Sequence, residues 1–236
     1  MIIGLRHDID NTYGLRGGLP KVIGLEKRYD VKSTIFVRVD ILRSKRDCEF
    51  LREISHEGWE IGLHLINTIE DASLTPPREE LRILREIIGA EIYGVTPCGK
   101  TIGFKGDITW RVMDSLGLEY MEGYGLPNFS VKTFVMPTHL SLDIYYVRKF
   151  GEEEGYQKFK EDLLRQLEID GVATVLTHPE WFVRSVGGNG LMKIPLTIFR
   201  VKMMNRVYER FLSEFRDKVV FKRYIDLYRL IKEGKC

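Results

Sequence analysis

The hydrophobic pattern alternates between short apolar runs and longer stretches in which apolar residues recur every three or four positions. The short runs are typical of strands buried on both faces, and the longer stretches are typical of amphipathic helices. The runs predict strands at residues 1–10, 33–37, 59–64, 91–95, 118–121, 132–136, 142–146, 172–176 and 219–221. The longer stretches predict helices at residues 20–30, 47–57, 77–88, 107–116, 157–169, 197–215 and 225–231.

Proline and glycine mark several predicted helix ends. Pro77 suits a first helical position, and Gly58 and Gly89 suit left-handed caps after the last turn. Asp107 is placed to cap the next helix. Repeated strand–helix units with apolar strands predict an α/β fold with a parallel sheet, and a (β/α) barrel is favoured at this chain length.

The 236 residues are 44% hydrophobic, enough for one substantial core. No repeat, low-complexity tract or linker divides the chain, so we predict a single domain over residues 1–236. Glycines 187, 188 and 190 predict a long surface loop.

Charge and cysteine content exclude several classes of protein. A net charge of +2 gives no field that would attract nucleic acid. Three widely spaced cysteines indicate neither a disulfide framework nor a cysteine zinc knuckle. No signal peptide is recognisable, and no apolar run reaches the roughly 18 residues that span a bilayer. We expect a soluble cytoplasmic protein that binds neither nucleic acid nor membrane; its oligomeric state stays open.

Polar side chains with catalytic chemistry follow most predicted strands. In a parallel barrel these strand ends share one face, where active sites form. The residues are Asp8, Asp10, Asp40, His64, Cys98, Glu122 and His178. Asp8 and Asp10 repel each other, and a divalent metal is the simplest way to relieve that repulsion if they are buried.

Four segments, in order, resemble the motifs of the polysaccharide deacetylases, the NodB-homology or carbohydrate esterase family 4 (CE4) enzymes. They are His-Asp-Ile-Asp at 7–10, Ser-Thr-Ile-Phe at 33–36, Gly-Trp-Glu-Ile-Gly-Leu-His at 58–64 and Leu-Thr-His at 176–178. Thr-Pro-Cys-Gly at 96–99 lies where the family has an Arg-x-Pro-x-Gly motif. The first segment is similar to a divergent His-Asp-x-Asp branch.

This resemblance implies a distorted (β/α) barrel of about seven parallel strands and a divalent metal, usually Zn²⁺. It implies that Asp8 is the general base, that Asp10 and His64 bind the metal, and that His178 is the general acid. A general acid must be protonated, so we expect a neighbouring carboxylate to hold His178 in its charged form.

Two positions depart from the family pattern. Thr68 stands where a second metal-binding histidine is usual, so His139 or Cys98 would have to supply a third ligand. Val95 stands where an arginine usually orients the catalytic aspartate. Cys98 is otherwise a candidate for contact with the substrate.

Four further residues near these motifs have simpler interpretations. Trp181 could stack on a sugar ring or anchor the last loop. We interpret Glu180 as a loop surface charge, His56 as a helix surface residue, and His7 as pointing away from Asp8.

Three functions remain open from the sequence. The first is a metal-dependent hydrolase that removes an acyl group from an amino sugar or a related amide. The second is a catalytically impaired protein that binds a carbohydrate or nucleotide-sugar. The third is a metal-free glycosidase that uses Asp8 with Glu122.

Overall fold

A computed structural model describes residues 1–183 and 194–235 of the chain, and only the backbone of residues 194–202. The loop predicted from glycines 187, 188 and 190 lies outside the described residues. Within the described ranges, no helix combines the length and the apolar character needed to cross a bilayer.

Strands and helices alternate along most of the chain, as the hydrophobic pattern predicts. The strands are β1 (Ile2–Ile9), β2 (Thr34–Val37), β3 (Glu60–Leu65), β4 (Gly94–Pro97), β5 (Tyr120–Met121), β6 (Phe134–Val135), β7 (Leu140–Ser141), β8 (Val172–Thr177) and β9 (Val220–Lys222). The helices are α1 (Leu19–Arg28), α2 (Lys45–His56), α3 (Pro77–Ile88), α4 (Asp107–Ser115), α5 (Arg148–Phe150), α6 (Glu152–Asp170), α7 (Ile194–Phe215) and α8 (Tyr224–Lys232).

The strands form one sheet in the order β6-β5-β4-β3-β2-β1-β8-β7, with β9 also paired to β1. The registers of β1 with β8 and β9, of β7 with β8, and of the consecutive pairs from β2 to β6 are parallel. This confirms the α/β class and the distorted (β/α) barrel, with one more strand in the main order than the seven expected.

The chain divides into two compact units. The first contains residues 1–33 and 139–222, and the second contains 34–138 and 223–235. The single domain over residues 1–236 stays a prediction.

The first unit has a core in which α6 and α7 contribute large aromatic side chains. Phe159 and Phe211 meet edge to face at 5.3 Å between ring centroids, and Tyr208 packs on Phe211 at 6.0 Å. All three are fully buried, together with apolar residues of β1 and β8. This core supports the two strands whose ends carry Asp8 and His178.

The second unit is packed around buried aromatic rings that require glycine in the neighbouring strands. Phe36 meets Tyr120 edge to face at 6.4 Å between ring centroids. A Cβ on Gly62 would lie 2.4 Å from the Phe36 ring, and one on Gly94 would lie 2.1 Å from the Tyr120 ring. Both glycines are therefore needed because the rings lie directly against the backbone.

Two local predictions are wrong. The strand predicted at 142–146 is a π-helical turn, Leu142–Val147, because the Asp143 carboxylate accepts hydrogen bonds from the Ile144 backbone N–H and from Ser141. The cap predicted at Asp107 is instead Gly106, which has a φ of 59°.

The carboxylate of Glu60 joins several parts of the second unit. It accepts hydrogen bonds from the Thr34 hydroxyl at 2.6 Å, the Tyr120 hydroxyl at 2.8 Å and the Ile225 backbone N–H at 2.9 Å. Ile225 lies in the first turn of α8, whose exposed N–H groups favour an acceptor. Glu60 therefore fixes the C-terminal helix to β2 and β5.

We expect Glu60→Ala to lower the free energy of unfolding by at least about 2 kcal/mol, because it leaves buried donors without their acceptor. Urea denaturation measures the change. Glu53→Ala, at an exposed position of α2, is the control and should change stability by about 0.5 kcal/mol or less. Equal effects of the two substitutions would show that the Glu60 network does not stabilise the fold.

Candidate active site

The ends of β1 and β8 bring two of the predicted catalytic residues to neighbouring positions. His7 pairs with Thr177 in the parallel register, so Asp8 and His178 follow at the same level. Asp8 is 4% exposed and His178 is 8% exposed. Side chains alternate between the faces of a strand, so this pair lies on the face opposite to His7 and Thr177.

The two carboxylate oxygens of Asp8 have different surroundings. Oδ2 accepts a hydrogen bond from Nη2 of Arg6 at 3.0 Å. Oδ1 is also buried but has no hydrogen-bond partner among the described residues. A buried acceptor in this condition is costly unless a water or a ligand satisfies it. Asp8 therefore has one oxygen held in place and one available to accept a proton.

His178 has the carboxylate partner that its predicted role requires, and this partner is Asp143. The Nδ1 atom of His178 lies 3.0 Å from Oδ2 of Asp143, and the His178 backbone N–H donates to the same oxygen. Burial lowers the pKa of His178, but the charge and hydrogen bond of Asp143, with a smaller contribution from Asp8, raise it to about 9. His178 is therefore an imidazolium at neutral pH.

The opposite face of β1 carries a separate buried network. His7 lies 2.6 Å from the Thr177 hydroxyl through Nδ1 and 2.8 Å from Glu26 through Nε2. Glu26 also accepts hydrogen bonds from the hydroxyls of Ser33 and Tyr208. As predicted, His7 points away from Asp8, and its contacts fix β1 against β8 and α1.

In the second unit, His64 and Cys98 lie together at the ends of β3 and β4. The Cys98 backbone N–H donates to the Leu65 carbonyl at 2.7 Å. The Cys98 sulfur accepts hydrogen bonds from His64 and, at 3.6 Å, from Nη1 of Arg38. Burial raises the pKa of the Cys98 thiol, but the His64 contact, the Lys100 backbone N–H and the Arg38 charge lower it overall. These contacts favour the thiolate form.

In the second unit, His64 and Cys98 offer an imidazole and a thiolate to a metal ion, and the motif resemblance adds the carboxylate of Asp10 as the predicted further ligand. The carboxylate, imidazole and thiolate are all ligands that Zn²⁺ accepts, and three protein ligands leave a position open for water or substrate. The donor chemistry of these residues therefore fits a catalytic zinc site. Cys98 is fully buried, which favours metal binding over the predicted contact with the substrate.

Thr68, at the position of the second family histidine, does not take over the role of a metal ligand. Its hydroxyl donates to the Gly103 carbonyl at 2.6 Å, so it connects the loop after β3 to the loop after β4. Glu80 supports the same loop, because its carboxylate accepts the Ile66 and Asn67 backbone N–H groups at 3.0 and 2.9 Å. Burial raises the pKa of Glu80, against the effect of these two hydrogen bonds.

His139 lies just before β7 and forms a hydrogen bond with β8. Its Nδ1 accepts a hydrogen bond from the Thr174 backbone N–H at 2.9 Å. Burial lowers the pKa of His139, with a small opposing effect of Asp170. Of the two alternatives for a third metal ligand, the structure therefore favours Cys98.

The structure also describes the remaining sequence candidates. Trp181 is half-buried and packs against the core of the first unit, with the Arg148 guanidinium 5.8 Å from its ring centroid. This supports its role as a loop anchor. The interpretation of Glu180 as a surface charge is wrong, because it is 4% exposed; His56 is exposed as predicted. Glu122 is buried and accepts a hydrogen bond from Thr96 at 2.7 Å.

Sequence reasoning missed Asp143, Arg6 and Arg38. Arg6 could have been found, because alternation along β1 puts it on the same face as Asp8. Asp143 gave no such signal, since the apolar residues around it resemble a strand. Arg38 follows β2, where the sequence drew attention to Asp40; its guanidinium pairs with Asp40 at 2.6 Å.

The structure is similar to solved structures of one fold. It matches a probable polysaccharide deacetylase from Pseudomonas aeruginosa PAO1 with a TM-score of 0.64 and 20% identity, covering 100% of this chain and 92% of that chain. It matches an allantoinase with a TM-score of 0.66 and 17% identity, covering 97% and 89%. It matches a mutant of a CE4 family pseudoenzyme with a TM-score of 0.55 and 16% identity, covering 96% and 67%.

These similarities show that the chain has the CE4 deacetylase fold, as the motifs indicated, and at such identities they show the fold alone. No protein-family model and no curated protein matches the sequence. Assignment to the divergent His-Asp-x-Asp branch stays a prediction.

We expect the His178 imidazole to titrate near pH 9 in the native protein and at a lower pH in Asp143→Asn. Because the folded-state pKa is raised above 6.5, the stabilisation from this pair is full below about pH 6.5 and is lost as the pH rises through about 9. NMR titration of the ring signals measures the pKa. The control is Glu154→Gln, at an exposed position of α6, which should leave the pKa of His178 unchanged. An unchanged pKa of His178 in Asp143→Asn would show that Asp143 is not the group that raises it.

Proposed function

We propose that the protein is a metal-dependent hydrolase of the polysaccharide deacetylase type, which cleaves the amide of an N-acetyl amino sugar or a related non-peptide amide. The observation that carries this proposal is the pair at the ends of β1 and β8. Asp8 has a buried carboxylate oxygen without a described partner, and His178 is held protonated by Asp143. A base and an acid in opposite protonation states are what amide hydrolysis requires.

Each member of this pair moves one proton. Oδ1 of Asp8 accepts a proton from the attacking water, while Oδ2 stays bound to Arg6. His178 gives a proton to the nitrogen of the departing amine. Because Nδ1 of His178 faces Asp143, the proton on Nε2 is the one to be transferred. Asp143 stabilises the charged ring before the transfer and fixes its orientation.

From the motif resemblance we propose that Asp10 and His64 bind the metal and that it is Zn²⁺, with Cys98, which accepts a hydrogen bond from His64, as a further ligand. When bound, the metal supplies Lewis-acid assistance at the acyl carbonyl. In the second unit, Arg38 keeps the Cys98 sulfur in a positively charged environment, and the loop that follows His64 is held by Glu80. These contacts support the ligands in the orientation that binding requires.

A carbohydrate substrate is supported by the fold of the neighbours, which include the probable polysaccharide deacetylase. We propose a cytoplasmic location, which the three widely spaced cysteines support because they indicate no disulfide framework. Neither nucleic acid nor membrane is part of the proposal, since the net charge is +2.

A second candidate is a protein of the same fold that binds a carbohydrate or nucleotide-sugar without cleaving it. Thr68 and Val95 favour it because they replace two residues of the family pattern. One structural neighbour is a CE4 family pseudoenzyme, and a mutant of that protein has restored enzymatic activity. Release of acetate from an acetylated amino sugar by the native chain, lost in Asp8→Asn, would exclude this candidate.

We expect the zinc-loaded protein to release acetate from N-acetylglucosamine oligomers, and Asp8→Asn to lower the rate roughly 10²- to 10⁴-fold because the proton acceptor is lost. An acetate assay measures the rate. Asp217→Asn makes the same chemical change at an exposed position and should keep the native rate. Equal rates in Asp8→Asn and the native protein would refute the assignment of Asp8 as the base.

We expect one equivalent of zinc per chain, with binding weakened at least about tenfold in His64→Ala and in Cys98→Ser, because each removes one ligand. Competition with a chromophoric chelator measures the affinity without any assay of activity. His56→Ala and Cys48→Ser replace residues of the same types on α2 and should bind zinc like the native protein. Native-like affinity in Cys98→Ser would exclude Cys98 as a ligand.

A further inference from the structure

Arg6 and Asp8 form a buried ion pair within a single strand. Their separation of two residues places both side chains on one face of β1. Nη2 of Arg6 lies 3.0 Å from Oδ2 of Asp8, and the two side chains are 4% and 6% exposed. Removing a guanidinium from water costs free energy unless a carboxylate compensates for its charge. Because both side chains are buried, Arg6 and Asp8 compensate each other and are not a pair of solvent-exposed surface charges.

The contact makes the two oxygens of Asp8 inequivalent. Without a fixed partner, a carboxylate rotates in a broad, two-fold torsional potential, and either oxygen can face the reacting water. The hydrogen bond from Arg6 occupies Oδ2, and Oδ1 is the buried atom that lacks a partner among the described residues. The hydrogen bond from Arg6 to Oδ2 therefore sets the orientation of the whole carboxylate group.

We propose that Arg6 is the positioning residue for the general base: it holds Oδ2 of Asp8 so that Oδ1 faces the attacking water. This rests on the proposed function, in which Asp8 accepts the proton of that water. Arg6 keeps its own proton throughout and forms no bond to the substrate. Its planar guanidinium makes a directional hydrogen bond, which the rotating ammonium of a lysine does not reproduce.

A positioning role predicts a particular kinetic effect. Arg6→Gln should lower kcat roughly 10- to 100-fold, a range typical for residues that orient a catalytic group, and should leave KM nearly unchanged. Arg6→Lys keeps the charge and should retain more activity than Arg6→Gln. The control is Arg28→Gln, which removes an exposed arginine of α1 and should keep the native kcat.

A double-mutant cycle tests whether Arg6 acts through Asp8. In an Asp8→Asn background, Arg6→Gln should cause no further loss of the residual rate, because the group that it positions is already absent. If Arg6→Gln lowered the rate by the same factor in both backgrounds, Arg6 would act independently of Asp8 and the inference would be wrong.

Crystal structures of the native protein and of Arg6→Gln test the inference without any assay. We expect the Asp8 carboxylate to be rotated in the variant. If the native protein hydrolyses no acetylated amino sugar, the proposed function fails, and this comparison alone decides the role of Arg6. An unchanged carboxylate, or a native kcat in Arg6→Gln, would overturn the inference. If Arg6→Gln does not fold, Arg6→Lys decides, since a native kcat or an unchanged carboxylate in that variant would also overturn it.

Discussion

The buried charge of Asp8 is the constraint around which the ends of β1 and β8 are organised. A carboxylate that is 4% exposed needs compensation. Arg6 supplies it through a direct contact, and the imidazolium of His178 supplies more at longer range. Burial lowers the pKa of His178, but Asp143, with smaller contributions from Asp8 and Glu180, raises it to about 9. Arg6, Asp8, Asp143 and His178 therefore depend on one another, and the Asp143 turn lies beside the end of β8, where its carboxylate contacts His178.

The other face of β1 makes this arrangement rigid. His7, next in sequence to Asp8, bonds to Thr177, which is next in sequence to His178. Glu26 and Tyr208 complete the network from α1 and α7. The backbone positions of the acid and the base are thus fixed by polar contacts on the face that takes no part in the chemistry. A well-satisfied buried network of this kind specifies one register of β1 against β8.

The sequence predicts much of the fold because the strands are apolar and several helices are bounded by proline or glycine. The ends of β1, β3 and β8 were correctly located, and with them Asp8, His64 and His178. What the sequence could not show depends on long-range contacts. Asp143 lies in an apolar stretch that forms a helical turn, in which its carboxylate accepts local backbone and hydroxyl hydrogen bonds. The motif comparison suggested that Val95 leaves Asp8 without an arginine, whereas Arg6 contacts it from the same strand.

The hydrogen bond from Thr68 to the Gly103 carbonyl connects two positions that a comparison of motifs treats as unrelated. Gly103 has a φ of 78° and lies in the loop that follows Cys98. A histidine at position 68 would restore a familiar ligand but would remove the hydroxyl that holds this loop. Return to a two-histidine site therefore requires coordinated change in both loops.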